Sequence, residues 1–428
     1  MNYCSRCLYP SNHPYGIIFN ENNLCSGCII HEEKNAINWK KKFQILKKLV
    51  WEYKKRNSGQ NFDCIVPVTG GSDSFFILHT VKKVLGLNPL LVNYNSHFNT
   101  KIGIRNLSRL VTSFDCDMVT STLSPDLLKK ITRHTLKKYG SMYWQVLSGF
   151  TTFPVQTAVK YKIPLIIWGV HGWSEQTGMF SHHDQAEMTQ RCRREHALLG
   201  IKAEDLIDKK SKISRRDIQP FIYPYDNELE AVGVRGLYLS NFIRWDSKKQ
   251  HEKMIKIYRY ETEEQQRTFN TYEDVHCMHS AGIHDYIKFL KLGYSKVHDH
   301  ATREIRLQRM TRSDGIKMVK KYMYKKPKDI KIFSEWIELP EIKIFDQINK
   351  FRDKKIWRCQ NNKWKLLDCV SKHKENKFNA KVKLRIKEDC KFIQTKLNEE
   401  NTLNEKSYTL MGRSYYDKNN YGAVKDKP

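Results

Sequence analysis

Cys4, Cys7, Cys25 and Cys28 open the chain in the pattern C-x₂-C-x₁₇-C-x₂-C. Each pair can wrap one side of an ion, and the loop between them brings the pairs together. Four thiolates at this spacing are expected to hold a structural Zn²⁺ in a closed tetrahedral site. Iron is also bound by four cysteines, so spacing alone leaves an iron–sulfur cluster open. A closed site keeps no coordination position for substrate, so its metal is expected to hold the fold rather than do chemistry. The remaining cysteines are scattered and form no further C-x₂-C pair. MNYCSRCLYP shows no secretory leader, so a disulfide framework is not expected and a cytoplasmic location is.

The second chemical signal is Thr69-Gly70-Gly71-Ser72-Asp73-Ser74, directly after the apolar run CIVPV. Two glycines let backbone N–H groups approach phosphate oxygens, and a helix N-terminus behind them adds partial positive charge. The hydroxyls of Thr69, Ser72 and Ser74 add donors. A carboxylate beside phosphates makes sense if Asp73 holds Mg²⁺. The pattern G-x-x-x-x-G-K-[ST] is absent. The segment resembles the PP-loop, S-G-G-x-D-S, of ATP pyrophosphatases, which cleave ATP to AMP and pyrophosphate; here Thr69 replaces the first serine. That resemblance makes Thr69, Gly70, Gly71, Ser72, Asp73 and Ser74 the ATP-binding loop, with Asp73 and Ser74 as its catalytic pair.

The elements that must carry this loop follow from apolar patterning. Residues 38–56 read as a helix, with Phe43, Leu46, Leu49, Val50 and Tyr53 at three- and four-residue spacing. Strands are expected at 64–68, 89–95, 116–123 and 163–170, alternating with helices, the last of them over FPVQTAVKYK. This rhythm predicts an α/β fold: a doubly wound parallel sheet that binds its ligand beyond the strands' carboxyl ends. Helices return at 246–258, 284–292 and 313–324. The expected organisation is a zinc-ribbon module over 1–36, the ATP-binding α/β domain over 37–245, a mostly helical substrate-binding region over 246–327 and a Lys-rich extension over 328–428.

Composition narrows the partner. Lys and Arg number 75 against 46 Asp and Glu, a formal charge of +29. Such an excess calls for an anionic ligand or surface. No apolar run approaches the roughly 18 residues that span a bilayer. The basic excess is mostly lysine and spread along the chain, which disfavours nucleic acid.

The cysteine pattern together with FDCIVPVTGGSDS, NPLLVNYNSHFNTKIGIRNL, FPVQTAVKYKIPLIIWG, SNFIRWDSKK and AGIHDYIKFLKLGYSKVHDHATREIRLQRMTR resembles the N-acetyl sugar amidotransferase family of bacterial surface-polysaccharide and flagellin-sugar biosynthesis. The resemblance runs over residues 1–325. It implies that ATP activates the carbonyl oxygen of a sugar N-acetyl group and that ammonia then displaces AMP, leaving an acetamidino group. It implies an anionic N-acetylated sugar as substrate, either nucleotide-linked or a nonulosonic acid such as pseudaminic or legionaminic acid. No G-x-C-x-G nucleophile elbow occurs, so ammonia is expected from a separate glutaminase subunit. By position, Asn93 and Tyr94 after the second strand would contact adenosine, and Gly169 after the fourth would let a nucleotide approach. Asp299, Arg303 and Arg306 share one helical face, if helical, and would clamp the sugar's anionic group; His182 and His183 would approach the sugar. His276, His279 and His284 with Asp285 are expected to be structural or substrate-binding rather than a second metal site. A PP-loop sulfur transferase acting on tRNA, and a non-catalytic scaffold of the same pathway, are the competing readings.

Overall fold

The computed structural model describes residues 1–57 and 59–373. The part of the Lys-rich extension from 374 onward lies outside the described residues. Five parallel strands form one sheet: β1 Cys64–Pro67, β2 Pro89–Asn95, β3 Met118–Thr122, β4 Leu165–Trp168 and β5 Arg235–Tyr238, in the order β3-β2-β1-β4-β5. Successive side chains leave a strand on opposite faces. Cys64, Val66, Leu91, Leu165 and Ile167 therefore face the helices Trp39–Arg56, Ser72–Leu78, Lys101–Phe114 and Ser247–Tyr258. Ile65, Leu90, Val92 and Ile166 face the helix Trp144–Tyr161. Both faces are covered, as the unbroken burial of β2 requires.

The chain builds outward from β1 to β3, then crosses back to place β4 on β1's other side. Strand order thus reverses between β1 and β4, which is where such sheets open a crevice at their carboxyl ends. The glycine loop leaves β1 at that crevice, and Gly169–Val170 leaves β4 beside it.

One expectation is corrected and one is made more specific. The helix over FPVQTAVKYK starts earlier, at Trp144, so Pro154 lies inside it. A proline there removes one helical hydrogen bond. Burial of Trp144, Val146, Thr152, Val155 and Ala158 keeps the segment helical across that defect. The first part of the expected Lys-rich extension is packed against the rest of the chain. Helices Ile330–Trp336 and Glu341–Asn349 bury Ile330, Phe333, Trp336, Ile344 and Ile348 in the cluster that holds Phe98, Leu128 and Ile287. A hairpin follows, β6 Trp357–Gln360 with β7 Lys363–Leu366. Its two-residue turn, Asn361-Asn362, has both φ angles positive, the conformation that suits the twist of paired strands and that Asn tolerates.

Candidate active site and cysteine cluster

All four Sγ atoms of Cys4, Cys7, Cys25 and Cys28 lie within 4.8 Å of one another, and all four residues are buried. Cys4 and Cys28 sulfurs are 3.9 Å apart, Cys7 and Cys25 sulfurs 3.6 Å. Tetrahedral bonds of about 2.3 Å from zinc to sulfur would place the sulfurs about 3.8 Å apart, so the quartet fits such an ion. Cys4 Sγ also accepts from the N–H groups of Cys7 and Cys25, each at 3.4 Å. Among the described residues this is the one His/Cys/Asp/Glu group spaced to hold a metal.

Four thiolates around a divalent ion leave net negative charge, and the fold supplies its complement from far along the chain. Arg306 donates from Nε to Cys28 Sγ at 3.4 Å and from Nη2 to Cys25 Sγ at 3.5 Å. Its Nη1 donates to the Glu175 carbonyl at 2.8 Å. Burial works against the guanidinium's charge, but Cys28 and Cys25 outweigh it and hold Arg306 well above the ordinary range. The glycine in Cys25-Ser26-Gly27-Cys28 makes this possible: a Cβ at Gly27 would sit 2.3 Å from Arg306 Nη2 and from the Gln176 carbonyl oxygen.

The glycine loop is braced by its own hydroxyls. Thr69 N–H donates to Ser74 Oγ at 2.9 Å, and Gly71 N–H donates to Thr69 Oγ1 at 3.1 Å. Threonine thus makes the contact a serine hydroxyl would make at that place. A Cβ at Gly70 would lie 2.2 Å from the Gly103 carbonyl, so this glycine admits the first turn of the helix Lys101–Phe114. Gly71 has ordinary extended angles, φ −91° and ψ 159°. What its missing Cβ leaves room for is the His276 ring, 3.1 Å from that position.

Asp73 opens onto a cavity of about 310 Å³. Val170 and Gly172, beyond β4, form part of its wall. The cysteine module contributes Tyr9, His31 and Lys34, and the helix Lys296–Arg306 contributes Asp299, Arg303 and Arg306. Helical spacing does bring those last three to one wall. Their partners differ. Arg303 holds Glu273 through Nη1 and Nη2, each at 2.8 Å, and donates to Ser247 Oγ at 2.8 Å. Burial would raise the Glu273 carboxyl, but Arg303 and His300 hold it well below the usual range. Asp299 takes Lys288 Nζ at 2.7 Å, and Lys34 Nζ meets Glu175 at 2.6 Å. Burial depresses Lys34, with Glu175 working against that.

The other sequence-derived residues sit around this centre, not all on it. Asn93 is buried and donates to the Val68 carbonyl at 2.9 Å, steadying the strand that feeds the loop. Tyr94 turns into the core, its hydroxyl 2.9 Å from Gln145 Oε1. Gly169 faces Ile77, whose Cδ1 lies 2.8 Å from where a Cβ would stand, so its close approach is to a side chain. His182 is buried behind Glu175, 3.9 Å away, and His183 is exposed. His284 stacks on Tyr143, His279 pairs with Asp329 at 3.0 Å, and Asp285 with Arg267 at 2.7 Å. Sequence reasoning missed His251, Lys34, Glu175 and Glu273, which no local pattern links to the loop.

Residues 266–371 match the family model described as LPS biosynthesis protein WbpG-like, C-terminal domain. The matched stretch holds Glu273, Arg303 and Arg306 and runs across the composition shift at 328, through the buried helices and the hairpin. It supports a place in a lipopolysaccharide-biosynthesis family and a role in a sugar-modifying pathway. No curated protein matches the chain. Among the described residues no helix is long and apolar enough to cross a membrane.

Proposed function

We propose that the protein is an ATP-dependent amidotransferase that converts the N-acetyl group of an anionic sugar to an acetamidino group. The observation that carries this reading is the placement of Asp73: the glycine loop's carboxylate faces, at the β1/β4 switch point, a cavity of sugar size, rich in charged side chains, whose far wall belongs to the lipopolysaccharide-biosynthesis match. The amide oxygen of the substrate attacks the α-phosphorus of ATP, and pyrophosphate leaves. Ammonia adds to the imidate carbon, a proton is lost, and AMP departs with the former carbonyl oxygen. An amide oxygen is a poor leaving group and AMP a good one, which is the reason for spending ATP.

In this reading the loop 69–74 holds the phosphates. Asp73 would hold Mg²⁺, and the chemistry that ion supplies is neutralisation of charge on the phosphates. Arg303 is the cavity's best anchor for the sugar's carboxylate or phosphate: its side chain is 29% exposed, against 1% for Lys34. A guanidinium can also hold such a group in bidentate fashion. Arg306 is withdrawn from that role, because it is buried and each of its guanidinium nitrogens already donates to sulfur or to the Glu175 carbonyl. Zn²⁺ is the ion proposed for the cysteine quartet, and ammonia comes from a separate glutaminase subunit. Mass spectrometry of nucleotide-linked N-acetyl sugars and nonulosonic acids, incubated with the protein, ATP, Mg²⁺ and an ammonium salt, tests the reaction. The expected product is lighter than its parent by the difference between O and NH. Unchanged sugars across both classes, with tRNA bound in a salt-sensitive manner, would favour the sulfur-transferase reading instead.

A further inference from the structure

Asp73 has a partner almost two hundred positions away in the sequence. His251 lies on the helix Ser247–Tyr258, which packs against the helix Ser72–Leu78 that follows the loop. Its side chain is 1% exposed. Nε2 stands 2.7 Å from Asp73 Oδ1, and Nδ1 stands 3.2 Å from Ser72 Oγ. An ionised carboxylate only accepts, so Nε2 carries the proton and donates it. The Tyr272 ring meets the imidazole edge-on, 5.4 Å between centroids, and closes the pocket around it. Asp73 itself is 47% exposed and reaches the cavity wall. One end of the carboxylate is thus anchored from behind while the group faces the cavity.

We propose that His251 is a positioning residue that fixes the Asp73 carboxylate for a divalent cation, an assignment that rests on reading the glycine loop as a Mg²⁺·ATP site. A free aspartate samples several rotamers, and the cation would have to select one. A ring held between Ser72 and Tyr272 makes that selection in advance, as outer partners of metal-binding carboxylates do. The same contact engages Ser72 Oγ, so this hydroxyl faces His251 rather than acting simply as a phosphate donor.

The ring's two contacts can be separated by substitution. The amide nitrogen of glutamine reaches the place of Nε2 and keeps a donor for Asp73. Asparagine reaches only the place of Nδ1, keeping Ser72 and losing Asp73. Both remove the ring and its packing on Tyr272, so they share any purely structural cost. The test is calorimetric titration of Mg²⁺ into the full-length protein saturated with ATP, for wild type, His251→Gln and His251→Asn, with kcat and KM for ATP measured alongside. His251→Asn is expected to weaken Mg²⁺ binding about 10–100-fold, the range for loss of an outer-shell partner. His251→Gln should keep most of the affinity, and kcat should fall more than KM for ATP rises. In an Asp73→Asn background, His251→Asn should add nothing further. Equal Mg²⁺ affinities for the Gln and Asn variants would overturn the assignment, as would wild-type protein with no affinity for Mg²⁺·ATP. Wild-type protein that binds Mg²⁺·ATP but forms no amidine would count against the reaction alone, and the Gln–Asn contrast would still decide the role of His251.

Discussion

Arg303 and Arg306 stand about one turn apart on the same helix, and the regions they serve are opposites. Arg306 faces the cysteine cluster: buried, beside two sulfurs, with each of its three guanidinium nitrogens donating inside the fold. Arg303 faces the cavity at the glycine loop, whose wall mixes charged side chains with Val170, Trp245 and Leu307, and keeps part of its side chain in solvent. Two residues of chain therefore separate a cation held by sulfur from one that, in the proposed reading, is offered to a ligand. Residue type does not decide which is which. The partner does: thiolates on two sides of Arg306, a single carboxylate and a hydroxyl beside Arg303. The regions also share a boundary, because Tyr9, His31 and Lys34 of the cysteine module are cavity wall. A metal that holds the fold is thereby expected to shape the site as well.

The comparison is broken most severely at Arg306. Arg306→Met removes the countercharge from a buried thiolate cluster. The expected loss is about 3–5 kcal/mol of stability, the cost of leaving a buried charge without its partner. Denaturant unfolding would measure it, and metal analysis should show weaker retention of zinc. A variant as stable and as zinc-rich as wild type would mean that the cluster's charge is answered elsewhere.

Arg303→Lys probes the other side. It preserves the charge and removes the two-pronged geometry. KM for the sugar should rise about tenfold, as expected for weakening one hydrogen bond to a charged group, with KM for ATP nearly constant. Equal rises in both constants would place Arg303 outside the sugar site. The smallest effect is expected at Tyr94. Tyr94→Phe loses the hydroxyl's bond to Gln145 and should cost about 1 kcal/mol of stability, with no change in KM for ATP. A raised KM for ATP would return Tyr94 to the nucleotide site.

What could be read from the sequence was what is local. The cysteine quartet and the glycine loop each lie within a short stretch of chain, where spacing alone marks them. Four of the five strands were expected from their sequence, three as apolar runs and β3 as a stretch of Val and Thr. β5, Arg-Gly-Leu-Tyr, was not: it is four residues long, and its Gly236 is there to admit Met188 and Trp168, a reason visible only in three dimensions. Ile330, Phe333, Trp336 and Ile337 carried a helical period that the surrounding lysines and glutamates concealed. The cavity's other walls were hidden for a different reason. Glu273 reaches Arg303, Lys34 pairs with Glu175 in the cavity wall, and His251 holds Asp73 from behind, all from separate elements that no spacing rule joins. Helical spacing put Arg303 and Arg306 on one face, yet only folding set the sulfur beside one of them.

The nucleotide products of turnover test the central claim most directly. Zinc-replete protein, a candidate N-acetyl sugar, ammonium, Mg²⁺ and ATP labelled at the α- and γ-phosphates should yield AMP and pyrophosphate in equal amounts, matched by the amidinated sugar. ADP and free phosphate in their place would contradict the account, because a loop of this kind would then be cleaving the wrong bond.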